Sequence, residues 1–389
     1  MASRSDTLHL PSSNGQTELL TLSAGPSPTA SGGWNRVAYA AAHVVSDPLA
    51  DADPWLNAPI DWDRTLAFRE HLWRLGFGVA EAMDTAQRGM GLDWPTSLEL
   101  IRRSQEVAKA GGHLIASGAG TDHLMAGPDT TLEDVIAAYE HQCEAVEATG
   151  SRVILMASRA LAAVARTPDD YVQVYSKVLS GLAQPAILHW LGEMFDPALE
   201  GYWGSPDHMA ATDTCLEVIK DNAAKVDGIK ISLLSAEKEI ALRRRLPDGV
   251  KMYTGDDFNY PELIEGDDNG FSHALLGIFD PIAGAAARAL AALGSGDLAG
   301  YNSAFAPTVP LSRHIFKAPT RFYKTGVVFL AYLTGHQDHF TMVGGQESAR
   351  STLHLADIVR LASAAGLFPD PDAAAARARP VFAARGVGV

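Results

Sequence analysis

The chain has 389 residues, 47% of them hydrophobic and 20% charged, enough for a large core in one big domain or two modest ones. Its 31 basic and 46 acidic residues leave a formal net charge of −15, which argues against nucleic acid or an anionic membrane surface as partner, since both need a basic footprint. Cys143 and Cys215 are far apart and lack metal-ligand spacing, the N-terminus has no apolar signal core, and apolar runs such as 327–333 are too short to span a bilayer; a cytoplasmic, enzyme-sized protein with reduced thiols is expected.

Residues 1–34 are rich in Ser, Gly, Thr and Pro and read as an arm or early hairpin outside the main fold. A rhythm then begins. Strand-like apolar runs fall at 37–45, 78–83, 113–117, 152–157, 186–190, 228–233, 250–254 and 271–278. Helix-period segments at 62–75, 97–110, 131–148, 168–182, 213–224, 236–246 and 261–265 separate them. Eight strands alternating with helices predict an α/β fold, a (β/α)8 TIM barrel over 35–294, with a doubly wound open sheet as the competitor. An alanine-rich helix over 281–293 follows the last strand, and a helical extension over 295–389 reads as a cap or oligomer-forming appendage.

Lys230 lies in the sixth of these strands, within Lys225-Val-Asp-Gly-Ile-Lys-Ile-Ser-Leu-Leu234. Lysine is seldom buried without a partner for its ammonium, and an amine in a dry pocket becomes a nucleophile able to form a Schiff base. The bland alternative is a strand-edge lysine snorkelling to water. Alternation places Gly228, Lys230 and Ser232 on one face and Ile229 and Ile231 on the other, so Lys230 is expected to point into the barrel, where catalytic groups gather at the C-terminal ends of strands.

Gly228-Ile-Lys-Ile-Ser232 resembles the Schiff-base strand of the dihydrodipicolinate synthase and N-acetylneuraminate lyase family of class I aldolases. Tyr253-Thr-Gly-Asp-Asp257 resembles that family's Gly-Asp-Asp turn after strand seven, Ile115-Ala-Ser-Gly-Ala-Gly120 its third strand, and Gln184-Pro-Ala-Ile-Leu-His-Trp190 its fifth. The resemblance covers about 37–293 and, more narrowly, extends to a divergent branch catalogued as a domain of unknown function. It implies a lyase with Lys230 as nucleophile.

The departures bear on chemistry. His189 stands where the family carries a proton-shuttling tyrosine, and imidazole transfers protons both ways near neutral pH; a structural histidine is the alternative. The family's Pro-Tyr-Tyr segment becomes Met156-Ala-Ser-Arg159, with Ser158 or Arg159 facing the same space. The turn that holds the substrate carboxylate in the family becomes Asp84-Thr-Ala-Gln-Arg88, which keeps one hydroxyl at Thr85 and adds a carboxylate that repels an oxo acid. Arg88 or Arg159 would offset that repulsion. Carboxylates accept paired hydroxyls well, so the reading leans to a neutral keto-sugar-like carbonyl over a 2-oxo acid. An insertion, Met194–Gly204, brings Tyr202 and Trp203; with Trp190 they suit either stacking on a sugar or plain loop packing.

The expected site therefore has Lys230 and His189 as catalytic groups, and Asp84, Thr85, Arg159, Gly255, Asp256 and Asp257 as substrate contacts, with no cofactor or metal. Two rivals stand beside it. His43, Glu81, Asp84, His189, Asp256 and His273 would have to converge for a metal-dependent isomerase or hydrolase, without any local His-x-His or His-Glu-x-x-His pair. A barrel that binds a carbonyl ligand without turnover is the other. His336-Gln-Asp-His339 reads as an exposed loop, and the apolar C-terminal helices suggest a homodimer or homotetramer.

Overall fold

The computed structural model describes residues 6–30 and 32–387; the first five residues of the expected arm, and Ser31, lie outside the described residues. Two compact units are interleaved along the chain, one comprising the segment up to Asn35, His43–Gly76 and the segment from Ile278 onward, the other Arg36–Ala42 and Phe77–Gly277. The pattern of the sequence alone divides the chain consecutively instead, at 34 and 294.

The first unit begins with an antiparallel hairpin, β1 (Thr7–Pro11) and β2 (Thr17–Thr21). It also contains the helix Trp62–Leu75, whose N-cap Asp61 accepts from the Arg64 amide and whose left-handed C-cap is Gly76. The alanine-rich helix Ala283–Gly294 and the helices that follow it complete the unit. The most apolar of these, Tyr323–Leu333, is buried along its length. His336 is half-buried between Phe68 and His71, so the 336–339 segment is not the plain exposed loop expected. No helix among the described residues is long and apolar enough to cross a membrane.

The second unit is the barrel. Its strands are β3 (Ala38–Ala41), β4 (Gly78–Glu81), β5 (Ile115–Ala119), β6 (Arg152–Leu155), β7 (Ala186–Leu191), β8 (Val226–Ser232), β9 (Lys251–Thr254) and β10 (His273–Leu276). They are parallel, pair in sequence order, and close through β10 and β3. Each strand predicted from sequence is present, and closure rules out the open sheet. The helices between them start at legible signals: Asp93 followed by Pro95 opens Trp94–Gly111, and a Thr131/Asp134 capping box opens Leu132–Thr149.

The barrel interior is filled by Tyr39, Ala41, Ala80, Ala116, Ile154, Ile187, Tyr253 and Leu275. Small residues make room for the two tyrosines. A Cβ on Gly228 would sit 2.6 Å from the Tyr253 ring, so only glycine fits where β8 passes that side chain. At the N-terminal end, the Tyr253 hydroxyl donates to Asp227 (2.7 Å), which also pairs with Arg152 (3.0 Å) and Lys251 (2.9 Å). This network closes the bottom and leaves the C-terminal end for chemistry.

Candidate active site

Lys230 lies in β8 with His189 of β7 and Tyr253 of β9 as its register partners. Register partners in a parallel pair share a face, and Tyr253 and Ile187 belong to the interior, so the Lys230 and His189 side chains both enter the barrel. Lys230 is 7% exposed and His189 1%. Burial holds the Lys230 amine below its ordinary value, against the opposing pull of the Asp84 and Asp257 carboxylates. Burial, and then the neighbouring Lys230 charge, push His189 well below the usual histidine range and keep its ring neutral at physiological pH. A depressed amine is the more nucleophilic form of lysine, and a neutral imidazole can both take and give a proton.

Gly255 presses against Lys230 and Ser232. Its amide donates to the Ile231 carbonyl (2.9 Å), and a Cβ there would fall 2.7 Å from Lys230 Cε and 2.4 Å from Ser232 Oγ. Its place in the site is the room it leaves. Ser232, which alternation puts on the Lys230 face without any assigned part, brings its hydroxyl 3.3 Å from His189 Nε2. That contact depends on the β7–β8 register, which the sequence does not display.

Asp84 opens the 3-10 turn after β4 and lines a cleft of about 410 Å³ with His189, Arg88, Thr121, Met156, Arg159 and Asp196. The two arginines in this cleft are already engaged. Arg88 donates to both Asp122 oxygens (3.0 and 2.7 Å) and to the Gly118 carbonyl (2.6 Å), and Arg159 pairs with Asp196 from the 194–204 insertion. Thr85 is buried beside Asp84. Asp257 is buried close enough to Lys230 to act on its charge, whereas Asp256 directs its carboxylate at its own loop, accepting from the Phe258 and Asn259 amides (2.8 and 3.0 Å) and the Asn259 side chain (2.9 Å). Ser158 caps the helix Arg159–Val164 and pairs with Thr121, leaving Arg159 as the residue of that turn in the cleft.

The aromatic trio takes the packing alternative. Trp190 follows inward-facing His189 and therefore points outward; it meets Trp203 edge-on, and Trp203 packs on Tyr175 (4.6 Å between centroids). Tyr202 accepts from the Ser158 amide and contacts the Tyr175 hydroxyl (2.8 Å). None of the three lines the cleft. Of the residues of the metal reading, Asp84 and His189 share the cleft, but Glu81 faces the helices and accepts from Ser104 (2.6 Å), and His273 Nδ1 accepts from the Val37 amide (2.9 Å) at the start of β10. Among the described residues no group of three or more His, Cys, Asp or Glu side chains is arranged to hold a metal ion. Non-glycine residues in the left-handed region, Ala82 (φ 51°) and Leu234 (φ 50°), stand in the turns after β4 and β8, where strain of this kind accompanies functional loops.

A closed barrel of eight parallel strands paired in sequence order defines a (β/α)8 barrel, and solved structures of similar fold include dihydrodipicolinate synthases. Dihydrodipicolinate synthase from Thermotoga maritima matches with a TM-score of 0.64 and 13% identity, covering 87% of this chain and 100% of its own. The enzymes from Bacillus anthracis (0.60, 15% identity, 84% and 97% covered) and Aquifex aeolicus (0.61, 11% identity, 84% and 96% covered) are similar. At these identities the likeness is one of fold. Comparison with curated protein sequences gives no match. Residues 8–387 match the family described as "Protein of unknown function (DUF993)", and the chain belongs to that family.

Proposed function

We propose that the chain is a Schiff-base-forming lyase, an aldolase or dehydratase acting on a neutral keto-sugar-like substrate through Lys230. The observation that carries this reading is a lysine buried in the barrel, with its amine depressed by desolvation and a neutral histidine on the adjacent strand. The neutral amine adds to the substrate carbonyl carbon, and the carbonyl oxygen takes a proton to give a carbinolamine. Loss of that oxygen as water leaves an iminium, which accepts the electron pair released when a C–C bond to the neighbouring carbon breaks or when that carbon gives up a proton; the enamine so formed either takes a proton on carbon or expels a β-hydroxyl as water, and in both cases an iminium is restored. His189 carries protons in the addition and dehydration steps, and hydrolysis of the iminium returns Lys230.

The leaning towards a neutral substrate rests on charge. Asp84 puts a carboxylate beside the amine, and both cleft arginines spend their charge on Asp122 and Asp196. A 2-oxo acid would meet repulsion that neither paired arginine of the cleft offsets, whereas Asp84 and Asp257 accept hydroxyls readily. Proton NMR of a panel of neutral ketoses and 2-oxo acids incubated with the protein is the test. Cleavage or dehydration of a ketose, faster than any reaction of pyruvate, is expected; consumption of neither class contradicts the lyase reading, and preferential turnover of pyruvate contradicts the substrate class.

A further inference from the structure

A second cavity, of about 290 Å³, lies wholly within the unit that contains the hairpin and the C-terminal helices. Its polar lining is Asp280, Arg288, His71, His336 and Thr334, and Phe68 and Pro28 contribute apolar wall. None of these groups takes part in the lysine chemistry proposed above.

One pole of the cavity is electropositive. The 12-residue helix Ala283–Gly294 starts in the wall, with Ile282, Ala283, Gly284 and Ala285 all lining the space, and Ile282 supplies no side-chain cap. First-turn amides and the helix dipole therefore meet the cavity. Arg288, one turn further on, folds back so that Nη1 donates to the Gly284 carbonyl (3.1 Å), as long helical side chains lean towards the N-terminus. Burial lowers its pKa, and among the described residues no carboxylate forms an ion pair with it. A partly desolvated guanidinium without a counter-ion is costly unless an anion completes it.

The other pole is an acceptor. Asp280 is 3% exposed; its Oδ2 accepts from the His43 amide (2.8 Å) and pairs with His43 Nδ1 (2.7 Å), while its Oδ1 has no hydrogen-bond partner among the described residues. Buried carboxylate oxygens are normally satisfied, so the spare oxygen calls for a donor. His71 and His336 also line the cavity with rings 4.5 Å apart, pushed by burial down to about 4 and about 3, and so offer uncharged ring nitrogens.

We propose that this cavity binds a small organic acid that also carries a hydrogen-bond donor, its anionic group on Arg288 and the helix start, its amine or hydroxyl on Asp280. Titration calorimetry of the full chain with propionate, 3-hydroxypropionate and β-alanine, and with homologues longer by one and two methylenes, separates the contributions, because each trio differs in one terminal group. A donor-bearing acid should bind about tenfold tighter than its plain counterpart, and Arg288→Gln should weaken every acid by a similar factor. Asp280→Asn should erase the preference for β-alanine over propionate; a preference confined to the hydroxy acids would assign the donor as hydroxyl, one confined to the amines as ammonium. No binding at millimolar concentration, or binding untouched by Arg288→Gln, would overturn the proposal. Should a variant fail to fold, carbethoxylation of His71 and His336 in the unaltered protein is measured with and without these acids: protection supports the site and unchanged labelling refutes it.

Discussion

Lys230 owes its character to neighbours of opposite effect. Desolvation favours the neutral amine, and Asp84 and Asp257 favour the ammonium. Asp84→Asn removes a stabiliser of the charged form, so the amine pKa falls further and neutral amine becomes available at lower pH. The pH profile of adduct formation should shift towards acid, and adducts with pyruvate should gain relative to those with ketoses. An unchanged profile and ratio would remove Asp84 from the site. Gly255→Ala tests the close approach: its Cβ, 2.7 Å from Lys230 Cε, should cost about 1–3 kcal/mol in a denaturant melt and most of the adduct yield. Alternation along one strand makes the inward aim of Lys230 legible in the sequence. The Ser232–His189 contact is not, because it depends on pairing between strands. Alternation also bears on Trp190, since neighbours on a strand cannot both face inward and His189 already does.

At the scale of elements, the insertion after β7 is explained by packing. Trp203 is fully buried and held at φ 69°, between Tyr175 and Trp190. Trp203→Ala should destabilise the protein by about 3–5 kcal/mol while leaving the choice among substrates unchanged; a selective loss of ketose turnover in folded protein would restore the stacking role. No periodicity announces that conformation, so the loop could be read from sequence only as aromatic. Helix Ala236–Arg243 carries a second buried device. Glu239 accepts from Ser272 (2.7 Å), and burial raises its pKa to about 8. A raised acid binds its proton more tightly in the folded state. Its contribution is therefore complete below the unfolded value near 4.5 and is lost as pH rises through about 8. Glu239→Gln should flatten that part of the stability curve in denaturant titrations across the interval; an identical slope in both proteins would contradict the assignment. Caps such as Asp61, Asp93 and Thr131 make helix starts legible to within a few residues, because capping is local chemistry.

For the whole molecule, eight apolar runs separated by helical periods are enough to indicate a closed parallel barrel, since that rhythm has few other solutions. The interleaving of the two units is hidden, because contacts between segments distant in sequence leave no local pattern. We expect a homodimer or homotetramer, on the strength of the apolar C-terminal helices, and light scattering coupled to size exclusion checks it; a monomer at micromolar concentration would contradict it. The central claim is the covalent one. Borohydride reduction in the presence of a reactive ketose, followed by peptide mass spectrometry, should place the reduced adduct on Lys230 and on no other lysine, and Lys230→Arg should abolish it. A substrate turned over without any trappable adduct, or an adduct that persists in Lys230→Arg, would contradict the account.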